Sequence, residues 1–115
     1  MSIPKVTVID YGMGNIWSVM SAFKYLGAEV ELIADPEEIS KSSILVLPGV
    51  GSFKNGMESL RARGIDEAII DAVTNKEAKI LGICLGMQLL GSHSTEDGEM
   101  EGLGLLPNRV ERFTL

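Results

Sequence analysis

Residues 79–90 read KILGICLGMQLL, and how this stretch divides decides the fold. Lys79-Ile80-Leu81-Gly82-Ile83 is a short apolar run with the character of a strand buried on both faces. At Cys84 a helical pattern begins, so strand passes into helix with almost no connecting loop. Gly82 and Gly86 flank the cysteine, and G-x-C-x-G has the form of a nucleophile elbow. Such a turn presents one side chain above a sheet, and its tightness crowds any Cβ on either side.

The rest of the chain alternates in the same way. Val6-Thr7-Val8-Ile9 is β-branched and ends at the glycine-rich Asp10–Asn15 segment. Ile16, Val19, Met20, Phe23 and Leu26 then share one helical face, with Asn15 as N-cap and Gly27 as stop. Glu29–Ile33 alternates like a less buried strand. Asp35-Pro36-Glu37-Glu38 reads as a cap, a first-turn proline and a capping-box glutamate. Ser43–Leu47 is a further apolar strand, closed by Pro48-Gly49-Val50-Gly51. Helices are expected over 54–62 and 65–75, divided by Gly64. An acidic, glycine-containing loop is expected over 96–104 and a last strand over 109–113. Strands separated by helices, apolar on both faces, predict an α/β fold. The expected architecture is a doubly wound, mostly parallel sheet with helices on both faces, flavodoxin-like in style. The 115 residues are expected to form one domain.

Sixteen acidic against ten basic residues give a net charge of −6 with no basic cluster, which argues against nucleic-acid binding. One cysteine cannot form an internal disulfide. No apolar run approaches the ~20 residues that span a bilayer, and the N-terminus lacks the layout of a signal peptide. No membrane association is expected, and the cytoplasm is the expected compartment.

In sheets of this kind, sites gather at the carboxyl ends of the strands. Three unusual segments fall there: Asp10–Asn15, Pro48–Phe53 and Cys84–Gln88. An isolated cysteine in an apolar run is usually a small buried residue. Between two glycines at a strand-to-helix junction, a presented nucleophile is the preferred reading. The helix N-terminus favours a thiolate, and the Leu85 N–H points where an oxyanion would form. The two glycines after Leu47 permit close backbone approach, so a loop N–H there could complete an oxyanion hole. Asp10–Asn15 is not a dinucleotide fingerprint, because Trp17 stands where G-x-G-x-x-G needs its third glycine. Pro48–Lys54 is not a Walker A loop. His93 is the sole histidine; on a continuous helix it would lie ~13 Å from Cys84, beyond reach of the thiol. It reads as an exposed residue after the elbow helix. One cysteine and one histidine give no persuasive zinc site, so no metal and no cofactor are expected.

Together, DYGMGNIWSV (10–19), PGVGSF (48–53) and GICLGMQLL (82–90) resemble the class I glutamine amidotransferases. More narrowly they resemble the group that forms the glutaminase subunit of imidazole glycerol phosphate synthase, in histidine biosynthesis. Gly102-Leu103-Gly104-Leu105-Leu106 fits as well. The resemblance implies that Cys84 attacks the side-chain amide of glutamine, forms a glutamyl thioester and releases ammonia. It implies an oxyanion hole from the N–H of Leu85 and, after a peptide rearrangement, that of Val50. Gly49, Gly51 and Gln88 would contact glutamine. Asp10, Tyr11, Gly12 and Asn15 would face a barrel-shaped cyclase partner that receives the ammonia. The family runs to about 200 residues, within the usual domain range, and carries a His and a Glu near the C-terminus that complete a triad. The 115 residues therefore read as the N-terminal part of such a protein, with negligible glutaminase activity alone. Three alternatives stay open: a non-catalytic binding or scaffold domain of the same fold, an amidotransferase serving a surface-sugar synthase, and, from fold class alone, a nucleotide-binding or redox flavodoxin-like module.

Overall fold

Alternation along the first strand sets up two apolar layers. In β1 (Lys5–Ile9), Val6 and Val8 point one way and Thr7 and Ile9 the other. Val6 and Val8 cluster with Met20 and Val46, whereas Ile9 joins a larger cluster with Leu45 and Leu47. A strand that feeds two cores belongs inside a sheet, and β1 does lie inside one. The computed structural model describes residues 3–95, 99–106 and the backbone of 109–110.

Four parallel strands make the main sheet: β2 (Glu29–Ile33), β1, β3 (Ile44–Leu47) and β4 (Lys79–Gly82), in the order β2-β1-β3-β4. Lys5 pairs with Glu29 and Ile9 with Ile33, while Val8 pairs with Val46 and Leu47 with Gly82. This order is the opening of the flavodoxin-like arrangement expected from the alternation. The chain leaves β1 toward β2 on one side and re-enters at β3 on the other. The crevice at the carboxyl ends of β1 and β3 is therefore the topological switch point.

Helix α1 (Ile16–Tyr25) packs its Met20 on the Val6, Val8, Val46 face. On the opposite face lie α2 (Pro36–Lys41), α3 (Phe53–Ala62), α4 (Ile65–Asn75) and α5 (Leu85–Leu89). Phe53, Met57 and Leu60 of α3, and Ile65, Ala68, Ile69 and Ala72 of α4, recur at helical spacing and are all buried. Local signals set the boundaries. Asp35 caps α2 by accepting the Glu37 N–H at 3.0 Å, with Pro36 at the first helical position. Gly64 separates α3 from α4 at φ +70°, where a side chain would be strained.

Three features differ from the sequence reading. β4 was expected to be buried on both faces, yet it lies at the edge of the described sheet, and Leu81 is 51% exposed. Among the described elements α1 alone covers that face, and it reaches β1 rather than β4. Leu26, assigned to the apolar face of α1, stands in solvent at the helix end. Within the expected acidic loop, Met100–Glu101 forms β6, which pairs antiparallel with β5 (His93–Ser94). Arg109–Val110 forms β7, parallel to β5, as the expected last strand begins to do; residues 111–113 lie outside the described residues.

The two apolar strands β3 and β4 thus differ in depth. Leu45→Ala is expected to cost about 2–5 kcal/mol, the range for a fully buried leucine. Leu81→Ala is expected to cost about 1 kcal/mol or less. Urea unfolding of the 115-residue chain measures both; equal losses would show that β4 is covered as deeply as β3.

Candidate active site

The elbow is built by steric necessity. Pairing between β3 and β4 continues one step past Gly82, because the Ile83 N–H donates to the Leu47 carbonyl at 3.0 Å. Cys84 then turns the chain at φ 54°, ψ −119°, a left-handed value that non-glycine residues rarely adopt. Holding a side chain there costs about 1–3 kcal/mol and needs surroundings that over-determine it. The flanking glycines supply them. A Cβ at Gly82 would lie 2.6 Å from the Met87 N and Cα, and one at Gly86 would lie 1.7 Å from the Leu47 carbonyl oxygen. Helix α5 therefore folds back onto the end of its own strand while resting on the end of β3. Leu85 and Leu89 anchor it in the core, and the Cys84 thiol is left exposed.

The other two segments reach the same place. Tyr11 is fully buried, and its hydroxyl donates to the Pro48 carbonyl at 2.5 Å. A Cβ at Gly14 would meet the Cα and N of Gly49 at 3.1 Å, and one at Gly51 would meet the Met13 methyl at 3.1 Å. The loops after β1 and β3 are thus packed backbone to backbone. Burial pushes the Tyr11 hydroxyl well above the usual tyrosine range, so it stays protonated and remains a donor. The loop after β3 ends at Ser52, which caps α3 by accepting the Asn55 N–H at 3.1 Å.

The third contact closes the arrangement. The Leu85 N–H, the amide expected to face an oxyanion, donates to the Gly49 carbonyl at 3.1 Å. Leu85 Cβ would also lie 3.1 Å from a Cβ on Gly49. Gly49 is accordingly enclosed by Tyr11, Gly14 and Leu85, whereas Val50 is 58% exposed and Gly51 holds φ +112°. Gln88 lies half-buried on α5, one turn after Cys84.

Asp10, Gly12 and Asn15 lie at the surface; Asp10 accepts the Gly12 N–H at 3.3 Å, and Asn15 caps α1 through the Ser18 N–H at 3.5 Å. The Tyr11 side chain instead turns inward, so it cannot itself meet a partner. His93 lies after the elbow helix, as expected, but it is not fully exposed. α5 stops at Leu89, and His93 is half-buried in β5 between Glu101 and Arg109. The sequence reading missed Ser59, whose hydroxyl donates to the Tyr11 carbonyl at 2.5 Å. A serine on a helix facing a loop leaves no periodic signal. Among the described residues no three His, Cys, Asp or Glu side chains gather as a metal site, and no helix is long and apolar enough to cross a membrane.

The sheet thus carries a cysteine elbow at the end of β4, next to its switch point. The chain belongs to the glutamine amidotransferase class-I family, which it matches over residues 7–104. It is 48% identical over 106 residues to "Imidazole glycerol phosphate synthase subunit HisH 1" of Parasynechococcus marenigrum (strain WH8102), covering 92% of this chain and 50% of the relative. It is 50% identical over 108 residues to subunit HisH of the same synthase from Geobacillus sp. (strain WCH70), covering 94% of this chain and 51% of the relative. A crystal structure of a glutamine amidotransferase shares the fold at TM-score 0.78 and 24% identity, covering 92% of this chain and 56% of that one. The chain spans about half the length of the curated relatives it matches.

If Gly86 is where the elbow rests on β3, a methyl group there has nowhere to go. Gly86→Ala is expected to cost about 3 kcal/mol or more. Gly104→Ala, at φ +70° but in open space, should cost only the backbone strain of about 1 kcal/mol. Chemical denaturation of the two variants checks the contrast; similar losses would mean that α5 does not rest on the Leu47 carbonyl.

Proposed function

We propose that this chain carries the nucleophile and oxyanion-hole part of a glutaminase that supplies ammonia to an imidazole glycerol phosphate synthase, in histidine biosynthesis. The observation that carries the reading is the strained, exposed Cys84, held beside the loop that follows β3. Membership of the class-I family and the likeness to HisH subunits support it.

The family likeness suggests the chemistry, and the exposed Cys84 is placed to begin it. The Cys84 sulfur attacks the side-chain amide carbon of glutamine, and a negative charge develops on the amide oxygen. Collapse of that intermediate expels ammonia and leaves a glutamyl thioester, which water hydrolyses to glutamate. Two N–H groups aimed at the oxygen would lower the barrier. Leu85 provides one once its bond to Gly49 is broken. Turning the Gly49–Val50 peptide removes the blocking carbonyl and brings the Val50 N–H to the same place. Gly49, Gly51 and Gln88 then line the glutamine, and Asp10, Gly12 and Asn15 offer a surface to the cyclase subunit. A base must accept the thiol proton and return it to the leaving amine. His93 is the sole histidine and lies in β5 rather than on the elbow helix, and we assign the base to residues outside this stretch. We place this role in the cytoplasm.

One observation favours a second reading, a non-catalytic scaffold of the same fold: the Gly49 carbonyl occupies the Leu85 N–H. A diazoketone analogue of glutamine separates the two. On the glutaminase reading it alkylates Cys84 at least about tenfold faster than a diazoketone of equal size lacking the amino-acid head, through recognition by the glutamine-lining residues. Cys84→Ala should abolish the labelling. Equal rates for the two reagents would favour the scaffold.

A further inference from the structure

We propose that Tyr11 is a positioning residue whose buried hydroxyl pins the Pro48–Gly49 peptide, so that only the Gly49–Val50 peptide turns when the oxyanion hole forms. The functional half of this inference rests on the glutaminase reading; the mechanical half does not.

The Gly49–Val50 peptide is bounded by two kinds of restraint. Upstream, the Tyr11 hydroxyl holds the Pro48 carbonyl at 2.5 Å and would lie only 2.2 Å from a Cβ on Gly49. Gly14 presses on the Gly49 Cα and N from the same loop. Tyr11 is in turn fixed by the Ser59 hydroxyl on its carbonyl, at 2.5 Å, which ties the pin to α3. Downstream, Met13 lies against Gly51, and Ser52 is committed as the N-cap of α3. The peptide between these restraints is held by its bond to Leu85, and its exposed Val50 side chain presents no bulk to the core.

Rotation about ψ of Gly49 and φ of Val50 exchanges a carbonyl for an N–H in front of Leu85 without displacing either neighbour. That economy holds only if the Pro48–Gly49 peptide stays still. With the hydroxyl gone, the Pro48 carbonyl is free, and the whole Pro48–Gly51 segment shifts as a unit. The Val50 N–H then arrives off target. The inward turn of Tyr11 makes it the hydrogen-bonded link between the surface loop 10–15 and the loop that carries Val50, beside the packing of Gly14 on Gly49 and Met13 on Gly51.

Tyr11→Phe keeps the ring and removes the pin. Amide hydrogen exchange in the full chain reads the result without reference to glutamine. Leu85 exchange should rise about tenfold, the size expected from losing one buried hydrogen bond. Ile83 is the internal control, because its N–H is held by Leu47 in the neighbouring β-ladder and should change less than about twofold. Ser59→Ala, which loosens the same tyrosine from its other end, should raise Leu85 selectively as well. It serves in place of Tyr11→Phe if that variant does not fold. In turnover, measured in a longer protein that contains this stretch together with the base, Tyr11→Phe should lower kcat about tenfold with KM within about threefold, as for a group that aims a transition-state contact. Equal changes at Leu85 and Ile83, or none at either, would overturn the proposal. Selective exposure of Leu85, together with no labelling of Cys84 by the glutamine diazoketone, would support the pin and overturn the glutaminase reading alone.

Discussion

The hydrogen bond from the Leu85 N–H to the Gly49 carbonyl, at 3.1 Å, joins the two loops that make the site. It ties the elbow helix to the loop after β3 and occupies the amide that the proposed glutaminase reading assigns to a developing oxyanion. A neutral bond of this kind contributes only about 1 kcal/mol net, so exchanging it for a bound substrate oxygen is energetically easy. The structure around it is not so easily changed. Gly86 rests on the Leu47 carbonyl, Leu85 and Leu89 are buried, and Cys84 is forced to a positive φ. A rigid elbow beside a peptide held by one weak bond is what a site needs if substrate is to complete it.

The sheet order places these parts together. Because β1 and β3 are neighbours whose following helices depart to opposite faces, their loops meet over the carboxyl edge of the sheet. β4 lies next to β3 and delivers Cys84 to the same edge. The glycines serve close approach rather than flexibility. Gly14 lies on Gly49, Gly49 lies under the Tyr11 hydroxyl, and Gly82 lies under the start of α5.

Much of this was legible from residues 79–90 and their two counterparts. Apolar runs of four or five residues, each followed by glycines and a helical period, dictate parallel strands and place the loops at one edge. The glycine pair around Cys84 announced the turn, because no other residue fits where Gly82 and Gly86 lie. What escaped depends on tertiary contacts that have no sequence period. β5 and β6 are two residues long, too short to alternate, so Met100–Glu101 read as loop and His93 as exposed rather than half-buried in a strand. Leu81 read as core because its strand is apolar, yet exposure depends on what covers β4. Tyr11 sits in a glycine-rich segment that looked entirely surface-facing, and only its partner Pro48 explains why the ring turns inward.

The account stands or falls on the Gly49–Val50 peptide. Its most direct test is a crystal structure of the protein with Cys84 covalently carrying a glutamine-derived ketone or thioester. The account predicts that the Leu85 N–H has left the Gly49 carbonyl and, with the Val50 N–H, lies within about 3 Å of the adduct oxygen. An adduct with its oxygen elsewhere, and the Leu85–Gly49 bond still intact, would contradict it.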